Sequence, residues 1–220
     1  MALLTSVTRL KGTLGQLMLA VLFLPAVLAA ELVPVIAAIP LVAMATPMST
    51  EAPEYNAKAG YLLTFMRYVE WPAESFPTPG APVVIGVLGT NPFGDVLEKT
   101  VRGIKVQGRP IEVRFVATVE EAANCHVVFI ARKQERNEAF WLQGLCDKPI
   151  LTITESSSSV MSGAVLSLFV EKNLRGETKP FFSASLPAAH KAGLQLSAEL
   201  LQFARKVYRD PVKTKSKGES

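Results

Sequence analysis

The chain has 220 residues, 23 Lys+Arg against 19 Asp+Glu, a formal net charge of +4, and only two histidines and two cysteines. So small a basic excess does not describe a nucleic-acid-binding surface. An apolar share of 49% over this length is enough for one globular domain with a real core.

The first 46 residues carry only three charges, Arg9, Lys11 and Glu31. Two basic residues precede the uncharged run Gly12–Ala30, whose Leu-rich centre Leu17–Leu24 leads to small residues at Ala26–Ala30. This is the layout of a secretory signal. A second apolar run, Leu32–Ala45, puts cleavage either near Ala29/Ala30 or after Ala45. The other reading is an uncleaved anchor in the inner membrane, since Gly12–Ala30 falls within the roughly 17–25 residues that span a bilayer. Pro25 and the lack of basic stop-transfer residues favour the signal. The expected organisation is therefore 1–45 signal or anchor, 46–53 lead-in, 54–208 one domain and 209–220 a polar basic tail.

From Glu54, apolar residues recur at Tyr55, Ala59, Leu62, Met66 and Val69, a helical spacing that Pro72 stops. Trp71 then caps the core. A Pro/Gly-rich turn, Pro77–Pro82, leads to a strand at Val83–Leu88. Asn91 as cap and Pro92 in the first turn predict a helix through Arg102. Next come a strand at Ile111–Val116, a short helix at Val119–Asn124, a strand at His126–Ala131, a helix at Glu135–Leu145 and a strand at Pro149–Thr154. Such alternation predicts an α/β domain, a mainly parallel sheet flanked by helices. After the polar loop Ser156–Ser159, Val160–Val170 and Pro180–Ala184 read as an antiparallel hairpin around Lys172–Lys179. A terminal helix from Pro187 closes the domain, with Leu196, Leu200, Phe203 and Val207 on one face. Basic residues follow it, at Arg205, Lys206, Arg209, Lys213, Lys215 and Lys217; they read as a solvated helix end and tail or as a contact for anionic lipid.

Cys125 and Cys146 lie just before the apolar runs Val127–Ile130 and Ile150–Ile153. If those runs are adjacent parallel strands, the thiols start from the same sheet edge, and an oxidising compartment favours a disulfide. Closing a loop of about 20 residues contributes roughly 3 kcal/mol in the chain-entropy model. Two separate buried thiols are the alternative.

Candidate chemistry is sparse. Gly89, Thr90, Asn91 and Gly94 follow a strand and open a helix, so their backbone is a candidate small-ligand site at the sheet's C-terminal edge. The loop lacks the GxGxxG spacing and the Gly-Lys-Ser/Thr ending of nucleotide loops, and a plain tight turn is the competing reading. His126 and His190 supply no HExxH and no close cysteine pair, so no metal site is expected. No GxSxG turn surrounds Ser156–Ser159, and no carboxylate pair suits acid/base work. The chain reads as a non-enzyme without a cofactor.

An ordered set of motifs resembles the YfiR family of bacterial periplasmic regulators. It begins with Lys58, Phe65 and Val69-Glu70-Trp71-Pro72, and continues with Ile85-Gly86-Val87-Leu88-Gly89 and Pro92-Phe93-Gly94. Asn124-Cys125-His126-Val127-Val128-Phe129-Ile130, Pro149-Ile150-Leu151-Thr152-Ile153, Ala192-Gly193-Leu194-Gln195-Leu196-Ser197 and Leu200-Leu201 complete it. The resemblance spans about Glu54–Val207. Two departures fall in the hairpin: Ser162-Gly163 stands where similar proteins have Gly-Gly, and Phe182-Ser183-Ala184-Ser185-Leu186 replaces Phe-Glu-Ile-Asn-Leu. The resemblance implies a periplasmic protein that binds the periplasmic domain of a membrane diguanylate cyclase; the sequence leaves a homodimer open. Its binding would lower cyclic-di-GMP output and biofilm formation. It also implies sensitivity to disulfide state, with Cys125 at a family cysteine position. The alternative function is a periplasmic binding protein or sensor for a small molecule.

Overall fold

The computed structural model describes residues 51–132, 135–172 and 178–209. Residues 1–50, 133–134, 173–177 and 210–220, and with them the expected signal or anchor and the basic tail, lie outside the described residues. All those described belong to one compact unit within Ser49–Ser220. It is a mixed α/β domain built on an eight-stranded, mostly parallel sheet.

Helix α1 spans Glu51–Arg67. Its apolar positions recur on one face, and Ala59, Leu62, Phe65 and Met66 are fully buried. The helix stops short of Val69, which the periodicity had included. Val69–Glu70 is instead a short strand, β1, and Pro72 opens a 3-10 turn over Ala73–Ser75. The Trp71 indole N–H donates to the His126 carbonyl at 3.1 Å.

Strand β2 covers Val83–Leu88, buried at every position. Helix α2 begins at Val96, not at Asn91, and ends at Val101. The reason is local: the Asn91 side chain accepts from the Phe93 N–H and donates to the Gly94 carbonyl, each at 2.8 Å. Gly94 is left-handed at φ 57°, so the segment is a closed turn before the helix. Strands β3 (Lys105–Val106) and β4 (Arg109–Val116) form a hairpin that the sequence reading missed at its start. Gln107 at φ 53° and Gly108 at φ 77° make its two-residue turn. Gln107 is held there by its side-chain amide, which donates to the Val69 carbonyl at 2.8 Å.

Helix α3 (Val119–Ala122) is capped by Thr118, whose hydroxyl accepts from the Glu121 N–H. Strand β5 (Val127–Ile130), helix α4 (Glu135–Leu145) and strand β6 (Leu151–Thr154) follow as the alternation predicts. Residues Ser159–Ser162 form a 3-10 turn that ends at Gly163, φ 105°. The next strand, β7 (Leu166–Lys172), therefore starts later than expected, and it pairs antiparallel with β8 (Thr178–Ser185).

The terminal segment is the largest departure. Helix α5 (Leu186–Lys191) ends before Gly193, which is left-handed at φ 69°. Gln195–Leu196 then forms β9, antiparallel to β1. Ser197 caps a second short helix, α6 (Ala198–Gln202), and Lys206–Tyr208 forms β10, parallel to β8. The single expected helix face is thus split: Leu200 is buried, whereas Phe203 is 78% exposed.

Strand order is β10-β8-β7-β6-β5-β2-β4-β3. Every pair from β7 to β4 is parallel, which fits strands buried on both faces. Side chains alternate between two cores. Val83, Ile85, Val87, Val127, Phe129, Leu151 and Ile153 pack with α1 and α2. Val84, Leu88, Val128 and Ile130 pack with Trp141, Leu142 and Leu145 of α4 and with Cys125.

Gly86 lies on that second face, where a Cβ would sit 2.8 Å from the Cys125 sulfur and 3.3 Å from its Cβ. Gly86→Ala is expected to cost about 1–3 kcal/mol as overpacking. Urea denaturation should show a smaller cost for the same change in a Cys125→Ala background; equal costs in both would remove this contact as the cause.

Candidate functional site

The crossover helices α2 and α4 leave β2 and β5 toward opposite faces of the sheet. The crevice between the carboxyl ends of these two strands is where open α/β sheets bind ligands. Here the first turns of α1 lie across it. The Tyr55 ring meets Phe93 edge-on at 5.3 Å, and Phe93 meets Phe129 at 4.8 Å.

Beside these rings sits a buried charge cluster. Lys58 is fully buried, and its ammonium donates to the carboxylates of Glu54 and Glu155. Glu155, just beyond β6, also has a fully buried side chain. Its second carboxylate oxygen accepts from the Tyr55 hydroxyl at 3.3 Å and from the Arg132 backbone N–H after β5. The Lys58 ammonium also lies 4.8 Å from the Tyr55 ring centroid. One cluster therefore ties α1 to the ends of two adjacent strands. An open groove of about 570 Å³ adjoins it, bounded by Glu54, Arg132, Lys172 and Thr178 together with Pro53, Ala57, Val170 and Pro180.

The proposed ligand loop stands at this edge but turns inward on itself. The Gly89 N–H donates to the Val116 carbonyl at 2.9 Å, and Asn91 satisfies both Phe93 N–H and Gly94 carbonyl. Gly94 has open space at its Cβ position, and Thr90 is among the residues with a partner of its own. This is the geometry of a tight turn that seats Phe93. Sequence reasoning had passed over Glu155. The available signal was Lys58 itself, a lysine placed within the apolar stripe Tyr55–Leu62.

The opposite edge of the sheet holds a second cluster. His126 stacks on Phe76 with ring centroids 4.5 Å apart, and the Arg109 guanidinium lies 3.8 Å from the other ring's centre. The Val84 N–H donates to His126 Nδ1 at 3.1 Å, so the imidazole proton belongs on Nε2, which lies 3.0 Å from the Ser75 carbonyl. Burial lowers the His126 pKa, outweighing the bond to Ser75, and the charges of Arg109 and Arg114 lower it further. Next to it is a cavity of about 380 Å³ lined in part by Cys125, His126, Arg114 and Ser75.

Cys125 and Cys146 are free thiols. Strands β5 and β6 are adjacent and parallel, as expected, but the side chains diverge. Cys125 is buried in the α4-side core, and burial pushes its thiol pKa up. The Cys146 sulfur is 3.2 Å from the Gln143 carbonyl and 3.2 Å from the Lys191 ammonium. The two sulfurs thus have separate surroundings, and the structure holds no bond between them. His190 lies at the end of α5.

Among the described residues no group of three His, Cys, Asp or Glu side chains could hold a metal ion, and no helix is long and apolar enough to cross a membrane. The fold defines an α/β domain with an internal polar cluster at each of the two ends of its parallel strands. The chain belongs to the YfiR/HmsC-like family, whose model matches residues 55–205; proteins of this family are regulators. Among solved structures, a conserved domain protein from Vibrio cholerae O1 biovar El Tor superposes with a TM-score of 0.48 at 10% identity. The match covers 70% of this chain, which spans 60% of the length of that one.

Removing one member of the buried pair strands the other. Lys58→Met is expected to cost about 3–5 kcal/mol, and Lys58→Met with Glu155→Leu should recover most of it. Chemical denaturation of the single and double variants reads this directly; an unaltered midpoint for Lys58→Met would refute the burial of the pair.

His126 predicts a pH dependence. Its folded pKa lies below the ordinary 6.5, so the unfolded chain takes up the proton first as pH falls. Its stabilising contribution is complete above about 6.5 and is lost as pH falls through the folded value. Urea midpoints between about pH 7.5 and pH 5.5 should decline, and His126→Gln, though less stable at pH 7.5, should flatten that decline.

Proposed function

We propose that this chain is an exported, non-enzymatic regulator that binds the periplasmic domain of a membrane-bound diguanylate cyclase and represses it. The observation that carries the reading is the family match over 55–205, nearly the entire described domain. The cluster at the C-terminal edge agrees with it. A ligand crevice is occupied by the protein's own Tyr55 and Lys58, and the polar groups there are consumed by one another. Residues 1–45 are proposed as the export signal, cleaved near Ala29/Ala30 or after Ala45, with a membrane-anchored form as the alternative.

In cells that contain such a cyclase, deleting this protein should raise cyclic-di-GMP several-fold and increase biofilm, and the rise should vanish when the cyclase is deleted too. The cyclase's periplasmic domain should co-purify with residues 46–220. An unchanged cyclic-di-GMP level in the single deletion, together with no co-purification, would overturn the proposal.

One observation favours a second reading, a small-molecule sensor: the groove beside Glu54, Arg132 and Lys172. A thermal-shift screen with periplasmic metabolites separates the two. A ligand effect that Arg132→Ala abolishes supports the sensor, and a flat screen at saturating concentrations removes it.

A further inference from the structure

Formal charge is spread unevenly along the chain. Of 23 basic and 19 acidic residues, six and two fall within 203–220, which leaves 17 of each in the remainder. The net charge of +4 therefore resides at the C-terminal end, an asymmetry of the kind that basic tails present to anionic partners.

The fold brings the start of this stretch to one margin of the sheet. Strand β10 is terminal in the strand order and is bonded to β8 on one side only. Val207 stands beside Ala184 of the α1-side core, so the alternation turns Lys206 and Tyr208 to the other face, the one that carries Phe181. There the Lys206 ammonium lies 4.4 Å from the Tyr208 ring centroid, and the Arg205 guanidinium lies 5.1 Å from that of Phe181. Arg205 also meets Glu171 at 3.5 Å, both groups being exposed. Phe203, two residues before Arg205, is 78% exposed, and Arg209 is exposed at the strand's end. Charged residues on an edge strand deter pairing with another strand. That accounts for Lys206, but not for an exposed phenylalanine or for a tail with Lys213, Lys215 and Lys217.

We propose that this margin, with the tail that continues from it, docks on the surface of an anionic lipid bilayer. Lys206, Arg209 and the tail lysines meet the headgroup phosphates, each contributing about fivefold in affinity. Phe203 enters the acyl boundary beside them. Basic groups next to aromatic rings suit headgroup depth, because the ring takes the apolar side and the cation keeps to the water. A contact of this strength is reversible and falls short of an anchor. The proposal goes beyond the cyclase reading and does not rest on it: lipid binding can fail while repression holds, and the reverse.

Vesicle flotation of residues 46–220 supplies the test. The protein should rise with phosphatidylcholine vesicles that contain about one-third phosphatidylglycerol, and stay behind with pure phosphatidylcholine. Raising salt from about 0.1 M to about 0.5 M should release it. Lys206→Glu with Arg209→Glu should weaken binding at least about 25-fold, and a chain ending at Arg209 about a hundredfold. Phe203→Ser should weaken it about tenfold, and all three should keep the wild-type circular dichroism spectrum. Arg102→Glu with Lys105→Glu makes the same charge change at exposed positions on the opposite margin, at β3, and should leave affinity within about twofold. Equal binding to neutral and anionic vesicles, no binding to either, or a β3-margin variant as weak as the β10 one would each overturn the proposal. If the wild type does not float and the Lys206→Glu, Arg209→Glu variant loses cyclase repression, the margin belongs to a protein partner and the lipid proposal falls.

Discussion

A single lysine in an apolar helix face organises this domain. Lys58 stands one turn into the stripe that docks α1 on the sheet, where an unpaired ammonium would be costly to bury. It is tolerated because Glu155 waits at the end of β6, itself bonded to Tyr55 and to the backbone beyond β5. Each member of the cluster is acceptable only in the presence of the others. Hydrophobic burial alone would let α1 slide or rotate on a surface of valines and isoleucines. The ion pair fixes its register and at the same time plugs the crevice between β2 and β5.

The opposite edge is closed differently. There a planar stack of Arg109, Phe76 and His126 lies beneath the strand starts, with the imidazole bonded on both nitrogens. The C-terminal edge is held by paired charges, the other by an imidazole whose pKa burial lowers.

What the sequence made legible was the repeated, local part. Continuous apolar runs located β2, β5 and β6 within a residue or two, because strands covered on both faces have no polar positions to blur them. The elements that escaped are those decided by distant partners. Val69 extends the helical period of α1, yet it forms a strand because Leu196 pairs with it. The 187–207 stretch carries a plausible helical stripe, but the left-handed Gly193 and the cap at Ser197 break it, and β8 recruits Lys206–Tyr208. Gln107 accepts a left-handed backbone that its residue type disfavours, in return for a bond to Val69. The thiols show the limit of edge arguments: adjacent parallel strands place two cysteines on one side of a sheet, but side-chain direction decides whether they meet.

The two-stranded ribbon of β1 and β9 joins the start of the described domain to its end. A chain synthesised from its N-terminus therefore cannot complete α1's seat until residues near 196 have emerged, and Lys58 has no buried counter-charge until Glu155 is made. Closure of this kind makes folding a late, concerted event with high contact order. Under the export proposed above, that delay suits passage through a translocation channel: the same long-range contacts that lock the finished domain keep the unfinished one threadable.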